Sequence, residues 1–499
     1  MIKSAKQYHD TTSYERNRLG GHQLDWKNQP LLYKEYKGLA GIPLPENPVP
    51  SGMPLKSVLE SAAEPVGETP DIKMISRILR LTYSITAESR FSRGIYYYRS
   101  AASAGALYPV EIYLMIQGSS DLEDGVYHFN IMEHSLVLLR KGIFSSYLGN
   151  ITVPRAKGKP LMSFILSSIF FRSSWKYRDR AYRYHLLDTG HVLENLSLAL
   201  KSAKIPFEVN YDFHDDSLNN LAGIDGFREA SLAVINVPGK DIRSDSTNLN
   251  INPLYGEITG TSIMSGKDID YPAIREIHEA GKIIRPEENH KPSFSGFSRP
   301  AEKWQNIDPP KEPREIIPYP ESLFTRRSKR NFINEMIGRD DFMTILDVLS
   351  HTADRGNRSP ASGEFLQTAF FAESVEDVSS GLYSLDVPGK RFGILRAGIH
   401  GEITAHICLN QEWLKNAGLH FLIISDLELM DKTHGPRGYR YAMMEAGRMG
   451  QRLYITAASL GLGCCGIGAF YDSEAAELLE LDRRSRLLYL IALGKIKKV

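Results

Sequence analysis

Apolar positions along this chain change period in a fixed order, and the order occurs twice. ISRILRLT (75–82) and FMTILDVLS (342–350) space their apolar residues for one face of a helix. EIYLMI (111–116) and TAFFAES (368–374) follow, apolar and β-favouring, and predict strands. Short strand pairs are predicted around GVY (125–127) and GLY (381–383). Two long stretches, 182–203 and 439–461, return to helical spacing, and SLAVINV (231–237) and LLYLIAL (487–493) predict closing strands.

The residues repeat as well as the periods. AYRYHLLDTGHVLENL (181–196) matches GYRYAMMEAGRMGQRL (438–453), with Tyr182, Arg183, Tyr184 and Gly190 on Tyr439, Arg440, Tyr441 and Gly447. Gly125 and Tyr127 match Gly381 and Tyr383, and Gly105 of SAGALYPVEIY matches Gly363 of ASGEFLQTAFF. The separations, 256 to 258 residues, are nearly constant. The chain therefore predicts two copies of one α+β domain, each a mostly antiparallel sheet flanked by helices. The expected organisation is an N-terminal extension (1–54), a first domain (55–240), a connection rich in Pro, Ser and Gly (241–320) and a second domain (321–499). Within the connection, YPAIREIHEAGKII (271–284) predicts a helix.

Composition narrows the function classes. The chain has 499 residues, 60 Lys and Arg against 59 Asp and Glu, and a net charge of +1, so neither a nucleic-acid groove nor a basic membrane patch is expected. The three cysteines, Cys408, Cys464 and Cys465, are too few for a disulfide framework and point to a reducing cytoplasm. No CxxC or HExxH occurs, so no protein-bound metal is expected. The polar N-terminus lacks the apolar stretch of a secretory signal, and no apolar run reaches the length of a membrane span. Just ahead of the first predicted strand, RSAASAGALYP (99–109) gathers small residues and a glycine, which lets a backbone approach something flat or charged.

These motifs carry a resemblance. SAGALYP before a strand, the GVY turn and KYRDRAYRYHLLDTGHVLENL (176–196) resemble the SagB-type dehydrogenase branch of the FMN-dependent nitroreductase superfamily. In the second copy, TRRSKRNF (325–332) is similar to the superfamily's N-terminal flavin-binding signature, and LGLGCCGIGAF (460–470) to its later flavin contact. Members of that superfamily are homodimers with flavin at the subunit interface, so the resemblance implies an intramolecular pseudo-dimer, with room for higher assembly. It implies FMN held through Arg326, Arg327, Ser328, Arg330 and Lys495, with Cys465, Gly466, Ile467 and Gly468 beside it and Ser103, Ala104 and Gly105 covering the ring. Guanidinium groups suit phosphate because they give paired, charge-assisted hydrogen bonds. In VLESAAEPVG (58–67), Ser61, Ala62, Ala63 and Pro65 stand in for the Arg/Arg/Ser/Arg set, so one competent site per chain is expected.

Lys176 and Tyr177 are the implied catalytic pair, with Thr433 and His434 at the corresponding place in copy two. A cation beside the phenol is expected to favour tyrosinate, a base for the proton that leaves with the hydride. The implied activity is hydride transfer between a substrate carbon and flavin N5, with azolines of a modified peptide as one substrate class. The rival readings are an NAD(P)H-dependent reductase of nitro or quinone compounds and a non-catalytic flavin- or peptide-binding scaffold. Tyr182, Arg183 and Tyr184 are expected to be structural because both copies keep them. Cys464 and Cys465 read as small packing residues, and His185 and His191 as partly buried structural residues.

Overall fold

The computed structural model describes residues 1–46, 52–64, 67–91, 94–153, 159–239, 251–252, 254, 262–263, 265–284, 296–351, 357, 359–361 and 365–497. The copy-two partner of the small-residue turn, Gly363, lies outside the described residues, as does much of the connection.

Each half builds a seven-stranded antiparallel sheet, and the two sheets have one strand order. The first runs Gly41–Pro43, Ser135–Lys141, Gly125–Asn130, Val110–Ile116, Pro160–Ile169, Glu229–Pro238, Glu208–Asn210. The second runs Glu302–Asn306, Arg391–Ala397, Gly381–Asp386, Leu366–Ala372, Leu419–Asp426, Ser485–Gly494, Gly463–Ile467. Register repeats too: Leu114 lies opposite Phe164, and Phe371 opposite His420. The α+β expectation of two repeated domains holds. In each sheet the first edge strand comes from the segment preceding the repeat. Within the connection, Pro272–Ala280 forms the helix its spacing predicts.

The long helices Ala181–Ser202 and Gly438–Ser459 are buried almost all round because each lies on its own sheet and against the other helix. They touch at the repeated glycines. A Cβ at Gly190 would lie 2.1 Å from the Met444 carbonyl oxygen, and one at Gly447 would lie 2.2 Å from the Leu187 oxygen. Only residues without a side chain permit that approach.

Charge is exchanged across the same pseudo-twofold axis. Arg180 and Arg183 each donate to Asp472 at 2.7 Å. At the equivalent places Arg437 donates to Asp215 at 2.5 Å, and Arg440 bonds the other oxygen of Asp215. Burial alone would raise Asp215, yet Arg440 and Arg437 hold it down at about 2. Each half thus grips an aspartate of the other, the reciprocal pattern of a twofold interface within one chain. Arg183 is structural as expected.

Candidate functional site

A cavity opens where the small-residue turn of the first half meets the segments after Thr325 and Leu462 of the second. The turn is unusual in its backbone: Gly105, Ala106 and Tyr108 have φ of +62°, +52° and +48°. Asp188, on the long helix, secures it by accepting from Ser103 Oγ at 2.5 Å and from the Ala104 amide at 3.2 Å, while Ser103 Oγ accepts from the Tyr108 amide at 2.9 Å. A Cβ at Gly105 would lie 2.7 Å from Tyr177 Oη and 3.2 Å from Lys176 Nζ. Glycine is therefore required here by its left-handed backbone and by the Lys–Tyr pair, not by a flat ligand alone.

Ser103, Ala104, Gly105, Ser328, Arg330, Cys465, Gly466 and Gly468 line one cavity, so the structure brings together most of the residues singled out from the sequence. Arg330 stands exposed at the mouth, near the Cys465 thiol, and no carboxylate among the described residues pairs with it. Arg326 is 4% exposed; its Nε and Nη2 donate to the Ser100 and Arg99 carbonyls at 2.8 and 2.9 Å, and Nη1 has no partner. Ser328 Oγ lies 2.9 Å from Tyr454 Oη. Arg326, Arg327, Ile467 and Lys495 do not line the cavity, and neither do Lys176 and Tyr177. Arg327 braces the hairpin of the first half, donating to Thr86 Oγ1 and O at 3.0 and 2.9 Å. Ile467 packs into the core of the second half. Lys495 Nζ sits 3.6 Å from Asp341, outside the cavity lining.

Lys176 and Tyr177 end the helix Phe170–Tyr177 beside this turn. Burial pushes the Tyr177 phenol upward, and Tyr184 and Asp188 push it further. Lys176 Nζ lies 5.4 Å from the Tyr177 ring centroid, and Nζ and Oη both lie beside Gly105. The upward shift of Tyr177 runs against the expected tyrosinate and favours the protonated phenol. Lys176 is pushed down by burial and then by Arg330, and is the better proton acceptor of the two. The N-terminal extension backs this helix, with a His22 ring nitrogen 3.0 Å from the Lys176 carbonyl and Trp175 Nε1 donating to the Asp25 carbonyl at 2.9 Å.

Sequence reasoning missed much of the cavity's polar floor. Asp188, Tyr454 and Tyr489 line it, and burial lifts Asp188 to about 7 against its bonds to Ser103 and Ala104. Tyr184, expected to be structural, also lines it and donates to the Gly468 carbonyl at 3.2 Å. His191 lines it too, fully buried, between Gln451 at 2.7 Å and Tyr489 at 3.1 Å. A signal existed for Asp188 alone: an acid within an otherwise buried helical stripe.

The pseudo-symmetric place is built differently among the described residues. Arg448, the counterpart of His191, donates to Tyr211 Oη at 2.9 Å, to the Asn357 carbonyl at 2.6 Å and to Glu194 at 2.9 Å. Asn357 closes over it, its amide donating to the Phe207 carbonyl at 3.1 Å and its oxygen accepting from the Val209 amide at 3.0 Å. Thr433 and His434 are buried. A larger cavity, about 360 Å³, lies on the second half, walled by Trp304, Leu366, Glu445, Arg448 and Arg452, and has neither the Arg330 segment nor the strained turn.

The donor set fits the phosphate and polar edge of FMN: an open guanidinium at Arg330, the unpartnered Nη1 of Arg326, and the hydroxyls of Ser328, Tyr454 and Tyr489. At Gly466 a Cβ would come 1.8 Å from Tyr489 Oη, so close approach is built in. The enclosed space is about 70 Å³, and a tricyclic ring requires the side chains around the mouth to move aside. No helix among the described residues is long and apolar enough to cross a membrane.

Comparison with known proteins agrees with this architecture. The nitroreductase family matches residues 47–240 and 323–495. A nitroreductase-type protein of Anabaena variabilis, known from a crystal structure, superposes with a TM-score of 0.78 at 26% identity, over 99% of this chain and 100% of that one. The nitroreductase-like protein MJ1384 of Methanocaldococcus jannaschii is 31% identical over 182 residues, 35% of this chain and 90% of its own. The trifolitoxin-processing protein TfxB of Rhizobium leguminosarum is 28% identical over 151 residues, 29% of this chain and 40% of its own. With two matched segments, two sheets of one strand order and a solved relative superposed along nearly the whole chain, the protein belongs to the nitroreductase family and is an oxidoreductase of that superfamily, two copies of the fold fused in one polypeptide.

Proposed function

We propose that the protein is an FMN-dependent dehydrogenase of the SagB type with one active site per chain, acting on azoline rings of a modified peptide. The observation that carries this reading is convergence: Lys176 and Tyr177 lie beside Gly105, whose turn meets the Arg330 segment of the second half at one cavity. Similarity to TfxB, a protein named for processing trifolitoxin, supports a peptide substrate.

Arg330, Arg326 Nη1 and Ser328 would hold the phosphate and polar edge of FMN, and the 103–105 turn would cover the ring. Bound FMN supplies a two-electron acceptor that takes hydride from the substrate carbon. Lys176, its amine pushed down by burial and by Arg330, takes the proton that leaves the azoline. Tyr177, kept protonated, donates its O–H to a ring heteroatom and fixes the substrate's orientation.

The test is single-turnover reduction of FMN-loaded protein by an azoline peptide without oxygen. Lys176→Ala and Tyr177→Phe lower the rate by about 10²–10⁴ and spare the flavin spectrum, whereas Thr433→Ala and His434→Ala leave the rate unchanged. Loss of activity in His434→Ala with Tyr177→Phe intact refutes the assignment of halves. Rapid bleaching by NADPH with no response to the peptide favours a nitro- or quinone-type reductase instead.

A further inference from the structure

We infer that Asp188 is a positioning residue: its carboxyl clamps the 103–108 turn against Lys176 and Tyr177, and the clamp changes hand when the carboxyl gains or loses a proton. The inference rests on the reading of Lys176 and Tyr177 as the reacting pair.

Geometry carries it. The Asp188 carboxylate accepts from Ser103 Oγ on one oxygen and from the Ala104 amide on the other, and Ser103 Oγ in turn accepts from the Tyr108 amide. These three bonds span the three left-handed residues, a backbone that persists only where its surroundings over-determine it. Gly105, inside the clamped segment, packs so closely on Tyr177 that a Cβ would lie 2.7 Å from its Oη, so the turn and the phenol are in direct contact. Protonation changes what the clamp can do. A carboxyl O–H at Oδ2 must donate to Ser103 Oγ, which then has to turn its own hydrogen elsewhere while still facing the Tyr108 amide. One acceptor is lost and the hydroxyl is reversed.

The surroundings make this proton exchangeable near neutrality. Burial raises Asp188 to about 7, and only the bonds to Ser103 and Ala104 oppose it. The groups facing it are Tyr184 and His191 on its own helix, Tyr83, Tyr108 and Tyr177 from the rest of the first half, and Tyr489 and Arg330 across the cavity. Among the described residues no ion pair holds Asp188. At the equivalent helical position Glu445 is paired with a cation, lying 3.6 Å from Arg448.

Infrared difference spectra of the full-length protein, titrated from about pH 6 to about pH 8, test the clamp without flavin or substrate. The expected result is loss of a protonated-carboxyl band with a midpoint near 7, absent in Asp188→Asn. A tyrosine ring band, identified by its disappearance in Tyr177→Phe, shifts with the same midpoint and no longer shifts in Asp188→Asn. In FMN-loaded protein the single-turnover rate changes about tenfold over that range in the wild type and is flat in Asp188→Asn. A carboxyl band that still titrates in Asp188→Asn overturns the proposal, as does a Tyr177 band indifferent to pH. A purely structural Asp188 would lower stability in the Asn variant and leave both midpoints in place. If no variant turns over azolines, the proposed function fails while the infrared result still decides the clamp.

Discussion

Gly447→Ala tests the helix crossing on which the whole site depends. The added methyl would sit 2.2 Å from the Leu187 carbonyl oxygen and 3.0 Å from its Cα, about 1.2 Å short of ordinary contact with the oxygen. Both obstacles are backbone, so no rotamer change relieves them and the helices must part. Overpacking of this kind costs up to about 3 kcal/mol. Alanine returns about 1 kcal/mol through its helix propensity. The net expectation is a loss of roughly 2 kcal/mol, read as a lower urea midpoint at unchanged slope. Because Asp188 and Tyr184 stand on one helix and Tyr454 on the other, flavin content after gel filtration should fall with it. Gly190→Ala, 2.1 Å from the Met444 oxygen, should behave alike, and the pair should not add, since the two glycines touch. A Gly447→Ala protein as stable as the wild type, or more so, refutes the crossing.

Three further outcomes are expected. Arg330→Ala weakens FMN retention by about 1.5–3 kcal/mol, measured by flavin fluorescence on dilution, and leaves the melting temperature unchanged, while Arg326→Ala also lowers stability by freeing the Ser100 and Arg99 carbonyls. The denatured holoprotein releases one FMN per chain by absorbance; two per chain would mean that the place occupied by Arg448 and Asn357 also binds flavin. Burial alone would raise Glu194, but Arg452 and Arg448 outweigh it and hold it at about 2. Its stabilising contribution is therefore complete above about pH 4.5 and lost as pH falls toward 2. Glu194→Gln should cost about 3–5 kcal/mol near neutrality and flatten the acid-unfolding curve over that window.

The duplicated fold was legible because its marks lie in the sequence at one separation: Gly190 with Gly447, and the Tyr–Arg–Tyr triplets. The acids that complete the interface, Asp215 and Asp472, keep the same separation but sit alone in short helices, where one acid looks like any surface charge. The SAG turn and the Arg330 segment were legible as motifs, and the structure brings them to one cavity. Tyr454 and Tyr489 were not, since a buried tyrosine in a helix or a closing strand reads as core until the partner half shows where its hydroxyl points. Charge type could not separate Arg330, open at the mouth, from Arg327, tied to Thr86, or from Lys495, drawn to Asp341. The tyrosinate reading weighed the neighbouring cation but not burial, which raises the Tyr177 phenol, with Tyr184 and Asp188 adding to it.

Joining the halves in one polypeptide released a constraint that twofold symmetry imposes. Where two identical subunits meet, every substitution arrives twice, and a residue good for one site must be tolerated by the other. Here His191 walls the cavity beside the strained turn, while its counterpart Arg448 is tied with Arg452 to Glu194. A mutation at either position reaches only one end of the molecule, so the two ends are encoded by separate codons and can drift or improve independently.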